Sequence, residues 1–131
     1  MKGRTSIVLF LVLFLQAGIL YAKDYEVVKK AGEYNVTVEI DKNPPVIGDN
    51  NVTIGIRDGS GKNVSDAKVL VEYSMPAMPG MPAMNYKADA AASGSEYKAK
   101  MVLSMSGSWN ITVKITKAGK TSTMKFSVDA K

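Results

Sequence analysis

Four of the eight methionines in this 131-residue chain fall within ten residues, Met75-Pro76-Ala77-Met78-Pro79-Gly80-Met81-Pro82-Ala83-Met84, one at every third position. Proline follows three of them. Thioether sulfur is a soft, polarisable donor suited to Cu(I), and the methionine side chain is also adaptable apolar surface. The segment therefore reads as a metal-facing loop, as a sticky surface for a protein or peptide, or as a plug for one end of a domain. Proline bars it from a helix or a central strand and biases the preceding residues toward extended conformations. On a straight polyproline ridge, rising about 3.1 Å per residue, successive methionine backbones would stand about 9 Å apart, too far for one ion. Pro79-Gly80 breaks that ridge. It is a favoured central pair for a type II turn, whose outer residues lie within about 7 Å. Met78 and Met81 are thus the pair expected to converge, with Met75 and Met84 flanking the base of the loop.

The rest of the composition removes other chemistries. There is no histidine and no cysteine. The common zinc sites, Ser-His-Asp and Cys-His catalysis, and haem attachment through Cys-x-x-Cys-His are all excluded. Cu(II) favours imidazole, so a copper site here should prefer Cu(I). Asp58, Asp66 and Asp89 are turn or surface types and form no carboxylate pair. No glycine-rich phosphate loop follows a strand and opens a helix. The expectation is a protein that is not an enzyme, with Cu(I) as its one candidate cofactor. Four Asn-x-Ser/Thr triplets, at Asn35, Asn51, Asn63 and Asn110, are what alternating strand sequences produce by chance.

The elements that must position the methionines are strands. Val36, Val38 and Ile40 alternate with Asn35, Thr37 and Glu39, and six further segments repeat this period of two. Their apolar sets are Val52-Ile54-Ile56, Val69-Val71-Tyr73, Tyr86-Ala88-Ala90, Tyr97-Ala99-Met101-Leu103-Met105, Trp109-Ile111-Val113-Ile115 and Met124-Phe126-Val128. Turn residues separate them: Pro44-Pro45 with Gly48-Asp49-Asn50, Asp58-Gly59-Ser60-Gly61, Ser93-Gly94, Ser106-Gly107 and Ala118-Gly119-Lys120. Seven strands with one apolar face each predict an all-β, antiparallel, immunoglobulin-like β-sandwich over residues 33–131, a small barrel being the alternative. Residues 23–32 read as a leader segment or a short first strand. If consecutive strands alternate in direction, the methionine loop shares one end of the domain with the Ser106-Gly107 turn and the 44–49 connection. Met105 would then offer another thioether, and Trp109 either a cation-π face or simple packing. Met101 and Met124 read as core.

The first 22 residues have the pattern of an export signal. Lys2 and Arg4 precede an apolar run from Ile7 to Leu15, and Leu20-Tyr21-Ala22 offers a cleavage point. Thr5 to Ala22 is an uncharged stretch of 18 residues, and a retained membrane anchor is the second reading of it. Either way the chain is expected to be exported, periplasmic or in the cell envelope. The whole chain carries 17 basic and 12 acidic residues; taking away Lys2 and Arg4 leaves 15 and 12. The surplus is small and scattered, so nucleic acid is not an expected partner. The expected partners are a soft metal ion, an envelope or membrane protein, or both. Membrane contact follows only if the N-terminal segment stays.

From Pro44 to Val113 the chain resembles the YtkA-like domain family, similar in turn to FixH-like extracytoplasmic domains. The resemblance is carried by Pro45-Val46-Ile47-Gly48-Asp49-Asn50-Asn51-Val52-Thr53-Ile54, the hairpin Asp58-Gly59-Ser60-Gly61-Lys62, and Ser65-Asp66-Ala67-Lys68-Val69. Tyr73-Ser74-Met75-Pro76-Ala77-Met78-Pro79-Gly80-Met81 and Gly107-Ser108-Trp109-Asn110-Ile111-Thr112-Val113 complete it. It implies an exported immunoglobulin-type sandwich in a setting of heavy-metal efflux or copper-oxidase biology. Pro82-Ala83-Met84 extends the family pattern by a fourth methionine. The lack of histidine implies a weaker, exchangeable Cu(I) site.

Overall fold

Strand alternation persists almost without interruption from Tyr25 onward, and in the computed structural model, which describes residues 24–131, it becomes eight strands. These are β1 (Tyr25–Ala31), β2 (Tyr34–Ile40), β3 (Gly48–Arg57), β4 (Lys68–Met75), β5 (Met84–Ser93), β6 (Glu96–Leu103), β7 (Gly107–Lys117) and β8 (Lys120–Ala130). The expected signal or anchor over residues 1–22 lies outside the described residues.

All pairings are antiparallel, in the order β1-β2-β3-β6-β5-β4-β7-β8. The meander β4-β5-β6 is inserted between β3 and β7. Strand β5 belongs to both layers of the sandwich: Met84–Ala90 are paired with β4 over their length, whereas only Ala91–Ser93 pair with β6. At the far ends of the order, β1 and β8 come together without a backbone ladder. Tyr25 stacks on Phe126 with ring centroids 6.0 Å apart, and Lys29 Nζ donates to the Lys125 carbonyl at 3.0 Å. The sandwich therefore approaches a closed barrel.

Two sequence expectations change. There are eight strands, not seven, because Tyr25–Ala31 pairs along its whole length with β2. Its alternation is hidden by Val28 and the two lysines after it, Val28 being 62% exposed at this edge. Strand β5 is also less buried than its alternation suggests. Tyr86 is exposed while Ala88 and Ala90 are half-buried, because β6 has parted from this stretch and leaves its inner face partly uncovered.

The core is one cluster drawn from both layers, including Val36, Ile54, Val71, Met101, Ile111 and Met124. Each such fully buried aliphatic side chain stabilises by about 1.5–3 kcal/mol. Two buried polar groups fix the connections. Asn50 Nδ2 donates to the carbonyls of Val46 (2.8 Å) and Gly48 (3.1 Å), and its Oδ1 accepts from the Val46 N–H (2.9 Å). The Tyr97 hydroxyl donates to the Val64 carbonyl at 2.8 Å and accepts from the Ala67 N–H at 3.0 Å, holding the crossover from β3 to β4.

Candidate functional site

The methionine segment is the tip of the β4–β5 hairpin. Met81 N–H donates to the Met78 carbonyl at 2.8 Å, Met78 N–H donates back to the Met81 carbonyl at 3.0 Å, and Gly80 has φ of 81°. That is a type II turn with Pro79 and Gly80 at its centre. Glycine is required there because a positive φ strains any residue carrying a Cβ. Residues that exchange both hydrogen bonds lie about 5.5 Å apart at Cα and project to the same face. The turn so brings the Met78 and Met81 side chains out side by side. Met78 is 42% exposed and Met81 half-buried.

The same turn sets the register below it. Met75 stands opposite Met84, and Tyr73 opposite Tyr86, symmetric about Pro79-Gly80. The members of the Met75–Met84 pair differ in environment. Met75 is buried, its methyl lying 3.1 Å from where a Cβ on Gly107 would sit. Gly107 also has φ of 127°, so position and conformation both call for glycine. Met84 is half-buried, and two hydroxyls address its sulfur: Tyr86 Oη and Ser104 Oγ, each 3.7 Å from Sδ and 3.4 Å from each other.

Beneath the hairpin lies an aromatic cluster. Tyr73 and Tyr86 stack at 5.5 Å, and Trp109 tilts against both at 6.2 and 6.0 Å. Trp109 is fully buried, and its Nε1–H donates to the Met105 carbonyl at 3.0 Å. With its ring enclosed by protein, Trp109 packs the core and presents no face to a cation at the surface. Met105 is half-buried in the connection between β6 and β7, which begins after Leu103 instead of after Met105. Met101 and Met124 are core residues.

The structure thus brings Met78 and Met81 together at the tip, and Met75 and Met84 together at the base. It sets Met105 at the same end of the domain. Sequence reasoning missed Tyr86 and Ser104 as neighbours of the Met84 sulfur. The first was within reach: counting outward from Pro79-Gly80 pairs Tyr86 with Tyr73. Ser104 lies eighteen positions from Tyr86, and its approach depends on how β6 parts from β5.

Charge plays a small part here. No group of three or more Asp, Glu, His or Cys side chains suited to a metal ion occurs among the described residues. A groove of about 350 Å³, lined in part by Glu72, Ser74, Asn85 and Lys87, lies on the flank of the hairpin. Glu72 is paired there with Lys114 at 3.2 Å.

Residues 26–114 match the YtkA-like family. Among solved structures, the chain is similar to FetP of uropathogenic E. coli strain F11, crystallised "as isolated" after expression in the periplasm of E. coli BL21(DE3). The TM-score is 0.47 at 9% identity, over 83% of this chain and 95% of that one. No curated protein matches the chain. The family match spans well over half of the chain, from β1 through most of β7 and across the whole methionine hairpin, and the chain belongs to the YtkA-like family.

Proposed function

We propose that this is an exported, non-enzymatic binding protein that holds or passes Cu(I), or Ag(I), on the thioethers of Met78 and Met81. The observation that carries this reading is the reciprocally bonded Met78–Met81 pair, which sets two soft donors on one face of an exposed turn. Met84 is the next candidate ligand. Its sulfur would have to leave Tyr86 and Ser104, so it suits a third position taken up on metal arrival. Met75 is buried and supports the base of the hairpin; Met105 would contribute only by swinging out from beneath. A two- or three-thioether site without imidazole or thiolate is weak enough to exchange its ion. It also carries no titrating ligand, so binding should persist into acid.

The test is a Cu(I) competition titration against a chromophoric chelator under reducing, anaerobic conditions. One ion per chain is expected, with binding lost in Met78→Leu/Met81→Leu, a change that nearly conserves volume and spares the fold. Undiminished binding by that double variant would overturn the assignment. A second reading, a module that docks an envelope protein through the same loop without metal, is favoured by the exposure of Ile47, Tyr86 and Val102 at this end of the domain. In that case the leucine variant keeps partner binding, and the wild-type protein fails to compete for copper.

A further inference from the structure

The tip of the methionine hairpin offers donors of one kind, and few of them. Between Pro76 and Ala83 the residues other than Met78 and Met81 are proline, alanine and glycine, so no side-chain oxygen, nitrogen or thiolate stands on the turn. The carbonyls of Met78 and Met81 are already spent on each other's N–H groups, at 3.0 and 2.8 Å. The neighbouring thioethers are held back. Met75 is buried against Gly107, and the Met84 sulfur lies 3.7 Å from each of the Tyr86 and Ser104 hydroxyls.

A closed-shell d10 ion such as Cu(I) has no geometric preference of its own and takes up to four donors. On this turn it gains two thioethers, or three once Met84 is released, and at least one position stays open. Pro76, Ala77, Pro79, Gly80, Pro82 and Ala83 are all exposed and carry little bulk, so nothing shields that position from outside. Charge does not guard it either. The charged groups flanking the hairpin are Glu72 and Lys87, opposite one another in register, with Lys114 on Glu72 at 3.2 Å; on β8, Asp129 accepts from Ser108 Oγ at 2.7 Å. The site therefore suits a neutral donor brought from elsewhere. Imidazole is the neutral side chain that suits copper best after the soft sulfurs. The chain has no histidine, so neither it nor a second copy supplies one.

We propose that the open position beside Met78 and Met81 is completed by a histidine imidazole of a partner protein, so that the ion passes between the two through a shared complex, thioethers on one side and imidazole on the other. This rests on the copper reading above. The step is a ligand addition: the lone pair of a neutral imidazole nitrogen enters the open position, no electron changes hands, and the ion stays Cu(I). An imidazolium must first release its proton. Thioethers do not titrate, and this chain has no histidine of its own. The shared complex therefore forms above the ordinary imidazole pKa, about 6.5, and is lost below it, while Cu(I) remains on the thioethers throughout.

The protein is produced with carbon-13 in its methionine methyl groups, and the Met78 and Met81 signals are assigned through Met78→Leu and Met81→Leu. One equivalent of Cu(I), under reducing and anaerobic conditions, should move both signals. Imidazole is then added in small excess at about pH 7.5 and, separately, at about pH 5.5. The expected result is a second shift of both signals at the higher pH, to positions that are neither metal-free nor copper-only, and none at the lower. Signals that imidazole leaves unmoved at the higher pH overturn the proposal, as they would where two copies share one ion through four thioethers. So does a return to the metal-free positions, which means that imidazole strips the ion, and so does an equal response at both pH values. Signals that Cu(I) alone fails to move sink the copper reading itself, before imidazole is added, and this proposal with it.

Discussion

Met78 and Met81 exchange both of their backbone hydrogen bonds across Pro79-Gly80, at 3.0 and 2.8 Å, so the separation of the two backbones that carry the thioethers is set by the turn. The weak point of that arrangement is Gly80. A Cβ there meets nothing within 4 Å, but φ of 81° is unfavourable for an L residue. Gly80→Ala should strain the turn by about 1–2 kcal/mol, with a fall in Cu(I) affinity of about tenfold. Competition titration of the variant beside the wild type checks it, with the melting curve showing whether the fold is spared.

Methionine environments differ enough to be read chemically. Dilute hydrogen peroxide should oxidise Met78 first and Met81, Met84 and Met105 more slowly. Met75, Met101 and Met124, each no more than 3% exposed, should oxidise last. Peptide mass spectrometry of the native protein gives the order. Oxidation of Met101 as fast as Met78 would contradict the packing described here.

Asn50 has no exposed surface and makes three hydrogen bonds of 3.1 Å or shorter to Val46 and Gly48. Asn50→Ala would leave the Val46 N–H and two carbonyls without this partner, at about 1–3 kcal/mol for each group that stays buried and unsatisfied. A loss of about 2–3 kcal/mol in urea unfolding is expected, along with loosening of the 41–47 connection.

Asp58 accepts from Ser60 Oγ (2.7 Å) and from the N–H groups of Lys62 and Ser60 (both 3.0 Å). These bonds, the Ser60 hydroxyl first, hold its carboxyl below the usual range. A carboxyl lowered in the folded state stabilises above its unfolded pKa, about 3.9, and that contribution is lost as pH falls through the folded value. The stability gap between wild type and Asp58→Asn should therefore be constant near neutrality and shrink below about pH 4. Thermal melts of both proteins across that range measure it.

Much of this was legible in the sequence because alternation and turn chemistry are local. Val36-Val38-Ile40 and Trp109-Ile111-Val113-Ile115 announce their buried faces, and Pro79-Gly80 announces its turn. The exposure of Tyr86 was not legible. Whether an alternating residue is covered depends on the strand that faces it, and β6 leaves β5 at Ala91, a point no local pattern marks. Strand β1 was half hidden for a related reason: at an edge, Val28 and the lysines after it need not alternate in character. The pairing of Met75 with Met84 followed from the turn, but the packing of Met75 on Gly107 and the approach of Ser104 to the Met84 sulfur join residues distant in the chain.

The meeting of β1 with β8 has a consequence in time. Synthesis from the N-terminus releases β1 first and β8 last of the eight strands. The hairpin of β1 with β2 can form early, but Tyr25 finds Phe126 only when the final strand emerges. Lys131, which closes on Pro45 and Ile47, arrives later still. Sealing of the sandwich thus waits for β8. Until then the aromatic edge of β1 stays open to solvent and to other chains.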